Sequence, residues 1–252
     1  MAMGSRQSNL VDVVNRYGKI TIHELKTIFN DVSEMTIRRD IETLEKEGKL
    51  IRIHGGAKSL NTIFRDDLYE AREVSNIEKK KLIAKKAAGL IGIGNTVYID
   101  GGTTATELCK ILPDINIRVY TDNIIGATLM SYAHNISTML LGGIIDPCDM
   151  CTRHSSPESC WVDVNFNYIF LGATGYSESS GFTSGNDKAE YLLKKNIMGK
   201  TDKTVILMDS TKIGKSSCYT FARPADVDIV ISDGELPKEI VDRFTAEGIV
   251  IM

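Results

Sequence analysis

Residues 33–57 read SEMTIRRDIETLEKEGKLIRIHGGA, and this stretch decides how the N-terminal part of the chain folds. At about 100° per residue along an α-helix, Ile37, Ile41 and Leu44 share one stripe. Ser33 stands as an N-cap and Glu34 at the positive end of the helix, while Gly48 ends it. The side away from the apolar stripe presents Met35, Arg39, Glu42, Thr43 and Lys46, flanked by Thr36 and Arg38. That face is polar, and basic near its N-terminal half. Asp40 lies beside the stripe and is expected to hold an arginine rather than to face outward. After Gly48, Lys49 to Ile53 alternates as a short strand, and His54-Gly55-Gly56 is a tight turn.

Upstream, Leu10, Val13, Val14 and Tyr17 follow the i, i+3, i+4, i+7 spacing of one buried helix face, ended by Gly18. Thr21 and Glu24 form a capping box for a second helix that buries Ile22, Leu25, Ile28 and Phe29. Only Asn30-Asp31-Val32 separates it from Ser33. Two helices joined by so short a turn make a helix-turn-helix, whose second helix enters the major groove of DNA. Arginine suits a guanine edge, and arginine or lysine suits phosphates. The expected DNA-contacting residues are Ser33, Met35, Thr36, Arg38, Arg39, Thr43 and Lys46 on the helix, with Lys49, Arg52 and His54 on the wing that follows. Lys58 is a further wing cation. A basic helical face alone is usually only a solvated surface. Here helix spacing, turn length, wing and basic face agree, and together they favour binding to double-stranded operator DNA.

The chain has 252 residues, enough for one large domain or two ordinary ones, with 42% apolar and 25% charged residues. That composition excludes wholesale disorder and fibrous repeats. No internal repeat stands out. No run approaches the ~20 apolar residues of a membrane span. The start, MAMGSRQSNL, has no apolar signal segment; Met1 to Ser5 look like an appended remnant and are set aside. Five cysteines, an odd number, fit a reducing cytoplasm. The net charge of −3 is uneven: residues 1–60 carry 10 Lys and Arg against 8 Asp and Glu, and the remainder 20 against 25. A slightly basic head on an acidic body is compatible with a polyanion-binding module on a carrier domain.

The expected division is a winged helix-turn-helix over 1–57, a polar linker over 58–77 in which Tyr69 and Arg72 can dock on the body, and an α/β domain over 78–252. In that last part strands and helices alternate. Strands are expected at 96–100, 117–122, 138–141, 168–172, 204–209, 229–232 and 249–251, and helices at 79–91, 104–112, 124–132, 189–201 and 237–247. The strands are nearly continuous apolar runs, the signature of a doubly wound, mainly parallel sheet covered by helices on both faces.

Candidate chemistry collects where these strands end. The strand 96–100 runs through Asp100 into Gly101-Gly102-Thr103-Thr104 and a helix. Glycines let backbone amides approach an anion, and a helix N-terminus favours negative charge. The spacing matches neither a dinucleotide fingerprint nor a Walker A loop, and alone such a turn can be a plain connection. Thr121-Asp122-Asn123, Gly142-Gly143, Gly172-Ala173-Thr174-Gly175 and Asp209-Ser210-Thr211-Lys212 follow other strands. In a parallel sheet all of these turns share one edge, where open α/β sheets bind ligands. There Lys212 can neutralise a phosphate, while Asp100 and Asp209 can accept bonds from sugar hydroxyls.

Several stretches resemble the DeoR family of bacterial transcription regulators. In the head the resemblance lies in Ser33, Thr36-Ile37-Arg38-Arg39-Asp40, Leu44-Glu45, Gly48 and Arg52 to Ala57. In the body it lies in Tyr69-x-x-Arg72, Glu78-Lys79 leading to Ile83-Ala84, DGGTTATEL at 100–108, TDN at 121–123, LLGG at 140–143, FLGATG at 170–175, GFTS at 181–184 and DSTKIG at 209–214. The resemblance implies a winged helix-turn-helix that binds operator DNA, usually as a repressor. It also implies a sensor domain similar in fold to ribose-5-phosphate isomerases and CoA-transferases, with a phosphorylated sugar as effector. The effector residues it implies are Asp100, Gly101, Gly102, Thr103, Thr104, Thr121, Asn123, Gly142, Gly143 and Lys212. No cofactor or catalytic residue is implied, and a homodimer or homotetramer is expected.

One loop, IIDPCDMCTRHSSPESCWV after the double glycine, departs from the family pattern. Its Cys148, Cys151, His154 and Cys160 would suffice in number for a tetrahedral zinc. They are crowded into one loop without a second separated pair, so free thiols and no metal are the expectation. Two other readings compete with the regulator: a zinc or redox sensor built on this loop, and a sugar-phosphate isomerase-like enzyme with an accessory DNA module. Isomerisation needs a positioned carboxylate base. Asp100, Asp209 and Lys212 supply suitable residue types, but enzymology alone leaves the winged head unexplained.

Overall fold

The computed structural model describes residues 5–59, 69–156, 161, 163–185 and 187–252, and divides into two units, Met1–Leu68 and Tyr69–Met252. The first unit holds helices α1 (Ser5–Tyr17), α2 (Ile22–Ile28) and α3 (Glu34–Lys46) and strands β1 (Lys19–Thr21), β2 (Leu50–Ile53) and β3 (Gly56–Ser59). Local chemistry sets the helix starts. The Glu24 amide donates to Thr21 Oγ1 at 3.2 Å and the Thr21 amide to Glu24 Oε2 at 2.8 Å, a reciprocal cap. The Thr36 amide donates to Ser33 Oγ at 3.3 Å. Leu10, Val14, Leu25, Ile37, Ile41 and Leu44 form the buried core between the helices. The strands pair antiparallel in the order β1-β3-β2, with Ile20 opposite Ala57 and Arg52 opposite Ala57 on its other side. The wing turn is tied back, since the Ile22 amide donates to the Gly55 carbonyl at 2.8 Å.

The second unit is built on a seven-stranded, wholly parallel sheet. Its strands are β4 (Thr96–Ile99), β5 (Ile117–Thr121), β6 (Ile136–Leu140), β9 (Phe166–Gly172), β12 (Thr201–Leu207), β14 (Ile229–Ile231) and β15 (Val250–Ile251), in the order β15-β14-β12-β9-β4-β5-β6. Counted along the chain within this sheet, the order is 3-2-1-4-5-6-7, that of a doubly wound fold. Strand residues alternate between two cores. Val97, Ile99, Phe170, Val205 and Leu207 pack with Ile83, Ala87 and Leu108 from α5 (Ile77–Ala88) and α6 (Thr103–Ile111), and with Met130 of α7 (Ile124–Met130). Tyr98, Ile169, Leu171 and Ile206 pack on the other face with Leu193 and Ile197 of α8 (Lys188–Met198) and Phe244 of α9 (Lys238–Ala246). Trp161 joins this second core edge-on to Tyr98 and Tyr120.

All seven parallel strands and five of the body's helices lie where periodicity puts them, within a few residues. The differences concern short pieces. The stretch taken as linker contains the end of β3, through Ser59, and a helix α4 (Tyr69–Val74) whose Tyr69 is buried. Residues 60–68 lie outside the described residues. Two small antiparallel assemblies were not foreseen: the hairpin β7 (Ile144–Asp146) with β8 (Cys151–Arg153), and a sheet of β10 (Gly175–Ser177), β11 (Gly181–Ser184) and β13 (Tyr219–Ala222). These strands lack the continuous apolar run that marks the parallel sheet, as in Cys151-Thr152-Arg153 and Gly175-Tyr176-Ser177.

Candidate DNA face and effector site

On α3 the apolar stripe and the outer face separate cleanly. Ile37, Ile41 and Leu44 are buried, whereas Ser33, Met35, Arg38, Arg39, Thr43 and Lys46 are exposed and Thr36 is half-buried. Lys49, Arg52 and His54 are exposed on and beside the β2–β3 wing. Asp40 is buried at the seam and is held from α1, with Arg6 Nε at 2.7 Å, Arg6 Nη2 at 3.1 Å and Gln7 Nε2 at 3.2 Å. This pair fixes the rotation of α3 against α1 and so fixes which side chains face outward.

In the second unit the strand order reverses between β4 and β9, and open α/β sheets take ligands at the carboxyl ends of the strands flanking such a reversal. There Asp100, next after β4, accepts the Gly172 amide at the end of β9 at 2.8 Å. The chain then turns through Gly101 and Gly102 into α6. A side chain at Gly101 would meet Cys151 Sγ, placed 2.3 Å from where its Cβ would stand, and Gly102 has φ +89°. Both positions therefore need glycine. Gly102 caps α6 with backbone only, so the amides of its first turn have no capping side chain. Thr103 is buried and Thr104 half-exposed at the same end.

Around this turn lies a buried charged network. Lys194 Nζ from α8 stands 2.9 Å from Asp100 and 2.7 Å from Glu190, donates to the Gly172 carbonyl and sits over the Phe221 ring. Burial works against the ammonium, but Asp100 and Glu190 outweigh it and raise its pKa. The Tyr98 hydroxyl bridges Asp100 and Asp122 at 3.4 and 3.1 Å. Arg153, at the end of β8, faces Asp122 at 3.4 Å, Asp149 at 2.8 Å, Asp146 at 3.8 Å and Asp187 at 2.6 Å. Burial, then the Asp100 charge, pushes the Asp122 carboxyl up to about 7 against the pull of Arg153. Six carboxylates thus share three cations here, Lys194, Arg153 and Arg72, the last paired with Asp149. Such an environment accepts hydrogen bonds from hydroxyls and repels a phosphate, whereas the bare helix N-terminus of α6 attracts one.

Sequence comparison adds identity to this geometry. The model of the DeoR-like helix-turn-helix domain matches residues 6–63, and that of the DeoR C terminal sensor domain matches residues 75–234. The chain belongs to the DeoR family. It is similar to the uncharacterized HTH-type transcriptional regulator YulB of Bacillus subtilis (strain 168), with 36% identity over 94% of this chain and 91% of the relative. It is also similar to the HTH-type transcriptional regulator GolR of Listeria innocua, with 30% identity over 98% and 96%. Among solved structures, ribose 5-phosphate isomerase A from Methanocaldococcus jannaschii is a partial likeness, with a TM-score of 0.41 and 17% identity over 55% of each chain. The DeoR-family protein described here is accordingly a DNA-binding transcriptional regulator and not an enzyme.

Asp100, Gly101, Gly102, Thr103 and Thr104 form one turn, with Thr121 and Asn123 directly behind it. Thr121 Oγ1 donates to the Ile99 carbonyl at 2.6 Å, and Asn123 caps α7 through Gly126 and donates to Thr106. Both side chains are fully buried, so they shape the turn from within. Gly143 lets the β7–β8 hairpin approach closely, against the Arg153 carbonyl. Asp209 caps its own turn through Thr211, which takes one of its two carboxylate oxygens. Lys212 is half-exposed after β12, and among the described residues no carboxylate pairs with it; the cation beside Asp100 is Lys194. Lys194, Glu190, Tyr98 and Arg153 were missed. The available signal was a lysine between Leu193 and Ile197, at a position the α8 pattern would bury. Cys109, Cys148, Cys151 and Cys218 are not in disulfides, and Cys160 lies outside the described residues. Among the described residues no three His, Cys, Asp or Glu side chains are grouped to hold a metal, and no helix is long and apolar enough to cross a membrane.

Proposed function

We propose that this regulator represses a carbohydrate-metabolism operon and that a phosphorylated sugar, bound at the carboxyl ends of β4 and β9, lowers its operator affinity. The observation that carries the reading is the juxtaposition at the strand reversal of an uncapped helix N-terminus, Gly101-Gly102-Thr103-Thr104, with the buried carboxylates Asp100 and Asp122. The α6 amides and threonine hydroxyls hold the phosphate, Lys212 balances its charge, and the carboxylates accept bonds from the sugar hydroxyls. A neutral sugar then lacks the anion contact and inorganic phosphate lacks the hydroxyl contacts. In the head, Arg38 and Arg39 carry base and phosphate contacts and the wing cations carry phosphate contacts. A relative named lactose phosphotransferase system repressor, from Staphylococcus epidermidis, 26% identical over 90% of this chain, is in keeping with a sugar-linked role.

The test is a panel of hexose, pentose and ketose phosphates, run by thermal shift and by gel shift on a duplex from the protein's own upstream region. A bound sugar phosphate at 100 times its dissociation constant stabilises the fold by about 2.7 kcal/mol, readily seen as a raised melting temperature. Asp100→Asn, close to isosteric, should abolish that response. No response to any member, or an unchanged response in the variant, removes the site.

A further inference from the structure

The second unit begins at Tyr69, where the chain arrives from the DNA-binding head. Tyr69 is 2% exposed and is pinned at both ends. Its amide donates to the Cys148 carbonyl at 3.0 Å, and its hydroxyl donates to Thr106 Oγ1 at 2.8 Å. Thr106 lies one turn into α6. Its hydroxyl donates to the Gly102 carbonyl at 3.1 Å and accepts from Asn123 Nδ2 at 2.9 Å. Two bonds therefore separate the Tyr69 phenol from the backbone of the Gly-Gly-Thr-Thr turn.

The next turn of α4 reaches the other side of the site. Arg72 Nη2 pairs with Asp149 Oδ1 at 2.5 Å and donates to the Cys148 carbonyl at 3.3 Å. The second oxygen of Asp149 faces Arg153 Nη2 at 2.8 Å, and Arg153 in turn faces Asp122. At the far end of α4, the buried Lys80 ammonium donates to the Arg72 and Ser75 carbonyls. This short helix is thus fastened to the turn that would take the phosphate and to the hairpin carrying Arg153, while its N-terminus is the way out to the head.

We propose that α4 is the element through which effector occupancy changes operator binding, with Tyr69–Thr106 and Arg72–Asp149 as the fastenings that lead to the site. The inference rests on the effector reading above. An anion on the α6 amides acts on the Gly102 carbonyl that Thr106 holds. An anion that draws Arg153 away from Asp149 leaves that carboxylate to Arg72 alone. Either change alters what holds α4, and a ligand with unequal affinity for the two arrangements shifts their populations. Buried hydroxyl and carboxylate contacts of this kind are made or lost outright, which suits a two-state element.

The test uses the full chain, the same sugar-phosphate panel and the same duplex, with Tyr69→Phe, Arg72→Gln and the double variant. Tyr69→Phe keeps the buried ring and removes only the hydroxyl. The expected result is effector affinity and effector-free operator affinity near wild type, with the effector-induced change in operator affinity reduced about fivefold or more in the double variant, within the usual span of coupling. Reciprocally, duplex DNA should lose its effect on effector affinity by the same factor, which general destabilisation would not produce. Amide exchange in the wild type offers a readout free of mutation: residues 69–74 should change protection when the active sugar phosphate is added. A wild-type response that survives intact in the double variant, or residues 69–74 unmoved by the effector, overturns this inference alone. A wild type indifferent to the whole panel overturns the effector reading and this inference with it.

Discussion

Asp122 shows how far burial can move a single group. It is 1% exposed, within reach of the Tyr98 hydroxyl, and close enough to Asp100 for their charges to interact. With its carboxyl raised from 3.8 to about 7, folding favours the protonated form. Its contribution to stability is therefore full below the unfolded pKa and is lost as pH rises through the folded one. Burial pushes Asp100 and Asp149 in the same direction. Asp233, held by Lys79 and Ser210, is lowered, so its contribution is lost only in acid, below its unfolded value of 3.8. The melting temperature of the second unit is expected to rise as pH falls from about 8 to about 5.5, and Asp122→Asn should flatten that slope. A pH series of thermal melts on both proteins checks it; equal slopes would mean that Asp122 is ionised throughout. On the DNA face, Arg39 is exposed and opposite the apolar stripe, so Arg39→Ala should spare folding. It should cost about 1–3 kcal/mol of operator affinity and relax specificity at one position, whereas Lys49→Ala should weaken all duplexes alike and reduce the salt dependence. Titrations on operator and scrambled duplexes at two salt concentrations separate the two cases.

At the scale of elements, α3 has its cap, its stripe and its outer face all written within residues 33–48. Leu44 is fully buried between α1, α2 and the wing. Leu44→Ala removes contacts that a core this small cannot replace, and should cost about 2–5 kcal/mol. Denaturation followed by circular dichroism should show the head's transition moved to lower denaturant while that of the second unit stays in place; a common shift would mean that the two units unfold as one. The longer helices are legible from their period and the strands of the parallel sheet from their apolar runs, even where these are short, as in Ile229–Ile231. The hairpin β7–β8 and the sheet of β10, β11 and β13 are not, since their strands mix polar and small residues with apolar ones, and β13 joins its sheet only through a distant partner, as where Thr183 pairs with Thr220. Helix α4 falls within the expected linker because six residues carry no helical period, and its place is set by the Cys148 carbonyl, Thr106 and Asp149.

At the scale of the whole molecule, one helix-turn-helix covers one half-site, and two-fold operators are met by paired copies. Sedimentation at micromolar concentration should therefore show at least a dimer, and a monomer both with and without DNA would reject this. The division between what sequence and tertiary structure decide follows from range. By itself the sequence determined the winged head, the outward-facing side chains of α3, the seven strands and the Asp100-Gly101-Gly102-Thr103-Thr104 turn. All of these rest on caps, periods and glycine constraints acting within a few residues. Tyr17 and Ile28, by contrast, expected in the head's core, are exposed. Only the tertiary structure decided that Lys194, forming its salt bridge from α8, and not Lys212, stands beside Asp100. The same holds for Arg153, drawn from the divergent cysteine-containing loop into contact with Asp122, and for Tyr69, which closes on Thr106. Each of these contacts joins residues 30 or more positions apart, and they meet because the doubly wound strand order brings the ends of β4 and β9 together. A charge buried at such a junction finds its partner through packing, which no local pattern records.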